Sequence, residues 1–171
     1  KAATPIPGPS CGPCEEGVRT ILKIRWMRMK IMRSDHQPSG VRKLMGTCQC
    51  GDVTYEVADE FSYAVNCHCS ICRRTTGAAF KTLAGIHCEK LRVVTGQQQI
   101  KTVGQSGWHD VRCEKCGSFL YSIVRDGTFA HIAMGTLIDD PTIRPQAHIF
   151  VASKAPWFTI ADDLPQYDEH M

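Results

Sequence analysis

Long apolar runs are missing from this sequence: no stretch approaches about 18 uninterrupted apolar residues, which argues against a transmembrane helix. A cleavable leader is not expected either, because the apolar residues near the start are broken by Arg and Lys. Helical periodicity is scarce and there is no internal repeat or low-complexity tract, so neither a helical bundle nor a repeat array is expected. Residues 46–171 also lack basic charge, with eleven Lys or Arg against fourteen acids, which is not the surface of a nucleic-acid binder. The chain's net +3 comes from residues 1–45, which carry nine Lys or Arg and three acids.

Cysteine is what the sequence has in excess. Seven of its ten cysteines fall into tight clusters: Cys48 and Cys50 as C-x-C, Cys67, Cys69 and Cys72 as C-x-C-x-x-C, and Cys113 and Cys116 as C-x-x-C. Seven divides as four plus three. Four thiolates close a tetrahedral zinc site, whereas three leave a coordination position open to water or substrate. A secreted disulfide framework is the alternative, but 171 residues suffice for a core without staples and the spacings are those of ligands. A reducing, intracellular setting is therefore expected.

Cys48, Cys50, Cys113 and Cys116 form the candidate closed site. Gly117 behind the C-x-x-C turn can adopt the left-handed conformation such a turn requires, and Gly51 lets the C-x-C segment bend. Two disulfides or four unrelated buried thiols are the other readings; a disulfide within C-x-C is strained. Cys67, Cys69 and Cys72 form the candidate open site, where zinc would act as a Lewis acid. Arg73 and Arg74 follow it and would attract an anionic substrate, unless they form only a solvated basic turn. A second closed site remains an alternative if His68, His87, Cys88 or His109 supplies a fourth ligand. His131 and His148, in apolar runs, read as core residues.

From Gly46 onward the pattern is mainly β. Asp52–Ala58 alternates Val53, Tyr55 and Val57 with polar residues, and β-rich runs cover Tyr63–Asn66, Ala78–Ile86, Leu91–Thr95, Gln99–Val103, Trp108–Arg112, Phe119–Arg125, Thr128–Met134 and His148–Ala152. Asp126-Gly127 is a hairpin signal. Single helical turns are expected at Ser70–Thr76 and Ala161–Leu164. Residues 1–45 read as a basic extension outside the fold, with Pro and Gly throughout 1–13 and a basic stretch at Arg19–Arg33 that suits a short strand or a helix on an anionic surface. Within it, Cys11-Gly-Pro-Cys14 has the sequence of a redox pair but lacks the strand before and helix after that such chemistry needs.

The strings GTCQCGDVTYEV (46–57), CHCSICRRTTGAAF (67–80), CEKCGSFL (113–120), MGTLIDDP (134–141) and HIFVASKAPWFTIADDLPQYDE (148–169) together resemble the glutathione-dependent formaldehyde-activating enzyme family. The resemblance covers residues 46–169 and none of the extension. It implies a β-tent, small antiparallel sheets pinned by a four-cysteine zinc, with Cys48, Cys50, Cys113 and Cys116 as structural ligands. It implies a second, catalytic zinc on Cys67, Cys69 and Cys72, hence two zinc ions per chain. The implied activity is that of a cytoplasmic carbon–sulfur lyase, interconverting glutathione plus formaldehyde with S-hydroxymethylglutathione. The implied partner is a small thiol, glutathione by default, with no nucleic acid or membrane and with homo-oligomers open. Arg73, Arg74 and Lys81 are the candidates for the thiol's carboxylates, while Trp157 and Phe158 are expected to pack. The same architecture serves proteins that are not enzymes, so a zinc-stabilised binding module with both metals structural is the alternative function.

Overall fold

The computed structural model describes residues 40–171, so Cys11, Cys14 and the Arg19–Arg33 stretch lie outside the described residues. Ten strands and one helix follow in order: β1 (Lys43–Thr47), β2 (Thr54–Ala58), β3 (Tyr63–Cys67), α1 (Ser70–Thr76), β4 (Lys81–His87), β5 (Leu91–Thr95), β6 (Ile100–Gln105), β7 (Trp108–Cys113), β8 (Phe119–Val124), β9 (Phe129–Ala133) and β10 (His148–Ile149). They build a three-stranded sheet, β1-β2-β5, and a seven-stranded sheet, β10-β3-β4-β9-β8-β7-β6. Pairing is antiparallel throughout except at β10, which runs parallel to β3 with His148 opposite Asn66 and Ile149 opposite Cys67. The mainly β architecture expected from the sequence is thus present.

Period-two alternation decides which face each side chain takes. In β2, Tyr55 and Val57 are buried while Thr54, Glu56 and Ala58 are half-buried. Tyr55 and Val57 join Leu44 from β1 against Ile86, Val111, Leu120, Tyr121 and Ile132 of the large sheet, which is the main core. Each large side chain buried there contributes on the order of 1.5–3 kcal/mol. The opposite face of the large sheet is different. Register places Tyr63, Gly85, His131, Ser122 and Asp110 in one row across five strands, and four residues along β4 Lys81 stands beside Cys67.

Two boundaries differ from expectation. β1 begins at Lys43, and Leu44 is fully buried, so Lys43 to Met45 belong to the sheet rather than to the extension. Pairing with β2 and a hydrogen bond from the Met45 N–H to the Asp139 carboxylate at 2.7 Å hold that strand. Ala161–Leu164 is not helical: the Asp162 carboxylate accepts the Leu164 N–H at 3.0 Å and Pro165 follows, a turn that the side chain closes in place of a backbone bond.

Candidate functional site

Cys48 and Cys50 lie in the β1–β2 connection, and Cys113 and Cys116 flank the β7–β8 turn. Local hydrogen bonds shape both turns. In the first, Gly51 N–H donates to Cys48 O at 3.1 Å and Val53 N–H to the Cys48 sulfur at 3.3 Å. In the second, Gly117 N–H donates to Cys113 O at 2.9 Å. Gly51 and Gly117 have φ of 80° and 74°, the left-handed region that glycine adopts without strain. Ser118 ties the turns together, its hydroxyl accepting from Gln49 N–H at 3.0 Å and lying 3.2 Å from the Cys116 sulfur. That hydroxyl favours the Cys116 thiolate and brings its pKa down to about 5.

All four sulfurs lie within 4.8 Å of one another, with 3.4 Å between Cys48 and Cys50 and 3.7 Å between Cys50 and Cys113. A tetrahedron with bonds of ~2.3 Å has edges of about 3.8 Å, so the cage fits a zinc-sized ion, and an all-sulfur donor set selects a soft metal. The described cysteines are free thiols, so the disulfide reading does not hold for them.

The second group is equally tight but has three members. Cys67 ends β3, Cys69 caps α1 by accepting the Cys72 N–H at 3.3 Å, and Cys72 sits in that first turn. Their sulfurs lie within 4.8 Å of one another, and among the described residues no fourth Cys, His, Asp or Glu joins them. The fourth-ligand candidates sit elsewhere: Cys88 packs beside the main core, and the His68 ring is engaged by His148. Hydrogen bonding from Cys67, reinforced by the charge of Lys81, holds Cys72 down to about 6, while Cys67 is pushed well up.

A cavity of about 510 Å³ is lined by Thr75, Lys81, Arg112, Phe119 and, from the four-thiol group, Cys116; none of Cys67, Cys69 and Cys72 lines it. Lys81 is buried, donates to Ser122 Oγ at 3.3 Å, and sits 4.8 Å from the Phe119 ring centre; the Arg112 guanidinium lies 5.4 Å from the same ring. Arg112 donates to Thr75 O at 2.7 Å and Gly117 O at 3.3 Å. By contrast Arg73 is spent on structure, donating to His68 O and Ser153 O at 3.3 and 3.1 Å, and Arg74 reaches only Ser70 Oγ at 3.4 Å. Arg112 therefore joins Lys81 at the cavity where Arg73 and Arg74 were expected. Its sequence neighbourhood is that of any strand charge, and only the register of β7 reveals it.

Behind the three-thiol loop the structure adds a chain of polar groups. The Asp162 carboxylate accepts from His148 Nε2 at 3.0 Å, which leaves His148 Nδ1 as the acceptor for His68 Nε2–H at 2.7 Å. His68 is fully buried between Phe80 and Phe158, and its Nδ1 has no protein partner. Burial drives its pKa down to about 4, so the ring is neutral at pH 7. Phe158 packs as expected, but Trp157 is 72% exposed.

Residues 43–153, which contain both sulfur groups, match the model of the family described as glutathione-dependent formaldehyde-activating enzyme. A protein of Halomonas elongata, provisionally named a glutathione-dependent formaldehyde-activating enzyme, is 29% identical over 129 residues, which cover 68% of this chain and 80% of the relative. A crystal structure of a Rhodobacter sphaeroides protein aligns with a TM-score of 0.48 at 28% identity, over 57% of this chain and 91% of the other.

Proposed function

Because the chain belongs to the glutathione-dependent formaldehyde-activating enzyme family, we propose that it is a zinc-dependent carbon–sulfur lyase interconverting glutathione plus formaldehyde with S-hydroxymethylglutathione. In the forward direction the thiol adds across the carbonyl: a carbon–sulfur bond forms and the thiol proton ends on the carbonyl oxygen. The reverse reaction breaks that bond and returns the proton to sulfur.

One observation carries the reading, the inequality of two sulfur groups within one domain, four members against three. Cys48, Cys50, Cys113 and Cys116 would hold a structural ion that clamps the β1–β2 and β7–β8 connections together. Cys67, Cys69 and Cys72 would hold the second ion with one position left for substrate. Zinc bound there supplies a Lewis acid that favours thiolate over thiol at neutral pH and polarises a carbonyl.

The chain's own groups prepare that position. Arg73 fastens α1 to the His68 and Ser153 carbonyls and so fixes the loop carrying all three thiols. Val65 and Leu83 pack against the group and keep water from its sheet side. Lys81 places a buried positive charge next to Cys72, where it would favour the anion as negative charge passes from sulfur to the carbonyl oxygen during addition and back again in the reverse reaction.

Metal analysis during mild chelation tests this reading, combined with formaldehyde–glutathione adduct exchange followed by NMR. Two zinc ions of unequal lability are expected, with catalysed exchange lost alongside the labile one and lost in Cys69→Ser. Two equally resistant ions and no catalysed exchange would replace the lyase with a zinc-stabilised binding module.

A further inference from the structure

We propose that the cleft between β5 and the inner face of β6, β7 and β8 is a second binding site, one that takes a small, uncharged, mostly apolar molecule carrying a hydrogen-bond acceptor. The small sheet ends at β5, whereas the large sheet runs on from β8 through β7 to β6. Its inner face is covered only in part, and a cavity of about 280 Å³ remains where the cover stops. Leu91 and Val93 line it from β5, and Ile100, Val111 and Ile123 from the large sheet. Only Val111 among these is fully buried, so a ligand entering there would bury apolar area that folding leaves open.

Tyr121 is the residue that points to a ligand. It is 6% exposed and lines the cavity, yet among the described residues its hydroxyl has no hydrogen-bond partner. The tyrosines of β2 and β3 differ: Tyr55 meets Thr136 at 2.7 Å and Tyr63 meets His131 at 2.6 Å. A buried tyrosine hydroxyl ordinarily finds such a partner. Unlike His68 Nδ1, the Tyr121 hydroxyl is not sealed off. Burial, with Cys88 close by, pushes its pKa up to about 12, so the phenol keeps its proton and offers a donor to whatever fills the cavity.

The lining also limits the charge of the occupant. No Asp, Glu, Lys or Arg lines the cavity, and the basic side chain that does, His109, has its Nδ1 3.3 Å from the Gln105 carbonyl. An ion entering would lose hydration and gain no counter-charge. The volume lies near the lower end of small-molecule sites, and an apolar void of about 150 Å³ already admits benzene, so one ring bearing a carbonyl fits. Tyr121 and Val111 belong to the main core, whereas Cys67 belongs to the cluster on the opposite face of the sheet. The occupant is therefore not the thiol of the lyase reading, and the inference does not depend on that reading.

The test uses the zinc-loaded full chain and three probes: acetophenone, ethylbenzene, which lacks only the carbonyl oxygen, and benzoate, which is charged. Carbon-13 methyl NMR follows Leu91, Val93, Ile100, Val111 and Ile123. Acetophenone should give saturable shifts in these methyls at roughly millimolar concentration, should bind about three- to tenfold more tightly than ethylbenzene, and benzoate should give none. Tyr121→Phe removes the donor and keeps the ring in the core; it should erase the preference for acetophenone while ethylbenzene still binds. Thr102→Trp, at an exposed position of β6 on the cavity's edge, should block both. The three-probe comparison in the wild type stands whether or not either variant folds.

Absence of saturable shifts, shifts confined to methyls outside the cavity, or benzoate bound as tightly as acetophenone would overturn the site. Equal affinity for acetophenone and ethylbenzene, or a preference that survives Tyr121→Phe, would overturn Tyr121 as the donor and with it the class of ligand.

Discussion

Replacing Cys48 with Ser should cost far more stability than replacing Cys69 with Ser, although each removes one sulfur from a metal-sized cage. The four-thiol group joins positions 63 residues apart, as Cys50 and Cys113 are. Treated as a cross-link, a loop of that length restricts the unfolded chain by about 4 kcal/mol. The three-thiol group spans Cys67 to Cys72, and a cross-link over such a short segment is worth about 2 kcal/mol by the same relation. Total stability of a domain this size is roughly 5–15 kcal/mol. Loss of the long clamp therefore removes a large share, whereas loss of the short one leaves the sheets joined. With about 3–5 °C of melting temperature per kcal/mol, Cys48→Ser should melt roughly 12–20 °C below the wild type and Cys69→Ser within about 10 °C of it. Circular dichroism melts of the zinc-loaded proteins, with bound metal counted in each sample, measure both. Equal losses in the two variants would refute the assignment of one ion to folding and the other to chemistry.

Three further outcomes follow from the same geometry. Asp162→Ala should release the tautomers of His148 and His68, since the carboxylate is what makes His148 Nε2 the donor; nitrogen-15 NMR of the histidine rings would show mixed tautomers, and unchanged spectra would contradict the relay. His131 is lowered to about 4 by burial, with Lys81 and Arg125 adding repulsion, while its unfolded value is near 6.5. Between those values the unfolded chain binds the proton and the folded one does not, so stability is full above pH 6.5 and falls as pH drops towards 4, by on the order of 3 kcal/mol. His131→Gln should flatten that slope in denaturant titrations, although His68, depressed in the same direction, will retain part of it. Gly46→Ala should destabilise by about 3 kcal/mol, because the added methyl would stand 2.1 Å from the Tyr55 ring, which is fully buried and hydrogen-bonded to Thr136 at 2.7 Å; a melt near that of the wild type would mean the small sheet is looser than described.

Much of this was readable from residue order because the informative interactions are local. Alternation in Asp52–Ala58 predicts β2, and Asp126-Gly127 marks the β8–β9 hairpin, where Arg125 and Asp126 also take positive φ. The cysteine spacings place the thiols of each local cluster within one turn of each other, so the clusters are visible before folding is known, although the joining of Cys48 and Cys50 to Cys113 and Cys116 is long-range. What escaped was long-range. β1 reads poorly because Lys43–Thr47 has little β-branched character and gains its stability from β2 and Asp139. Arg112 meets Lys81 only because β4, β9, β8 and β7 lie side by side in the large sheet. His68 and His148 are 80 residues apart, and their contact depends on β10 joining the edge of β3 in parallel.

That edge strand has a consequence for how the open group is built. The three thiols lie on a short loop and one helix of seven residues, an arrangement too small to hold its own geometry. Its rigidity is imported. β10 supplies the His148 relay, and Phe158 lies against the buried His68 ring. The backbone from 165 to 169 bonds back onto His148, Phe150 and Val151, so the C-terminal segment is fastened along its length rather than at one contact. On the other side Lys81 is carried by a central strand, and Arg112 grips the end of α1 through Thr75 O. A loop braced from three distant parts of the chain can keep three sulfurs converged without a fourth, and an open coordination position needs that bracing: a site held together only by its ligands closes on whatever donor is nearest. The four-thiol group, set in two hydrogen-bonded turns, has no such support from the C-terminal segment, and its fourth sulfur makes that support unnecessary.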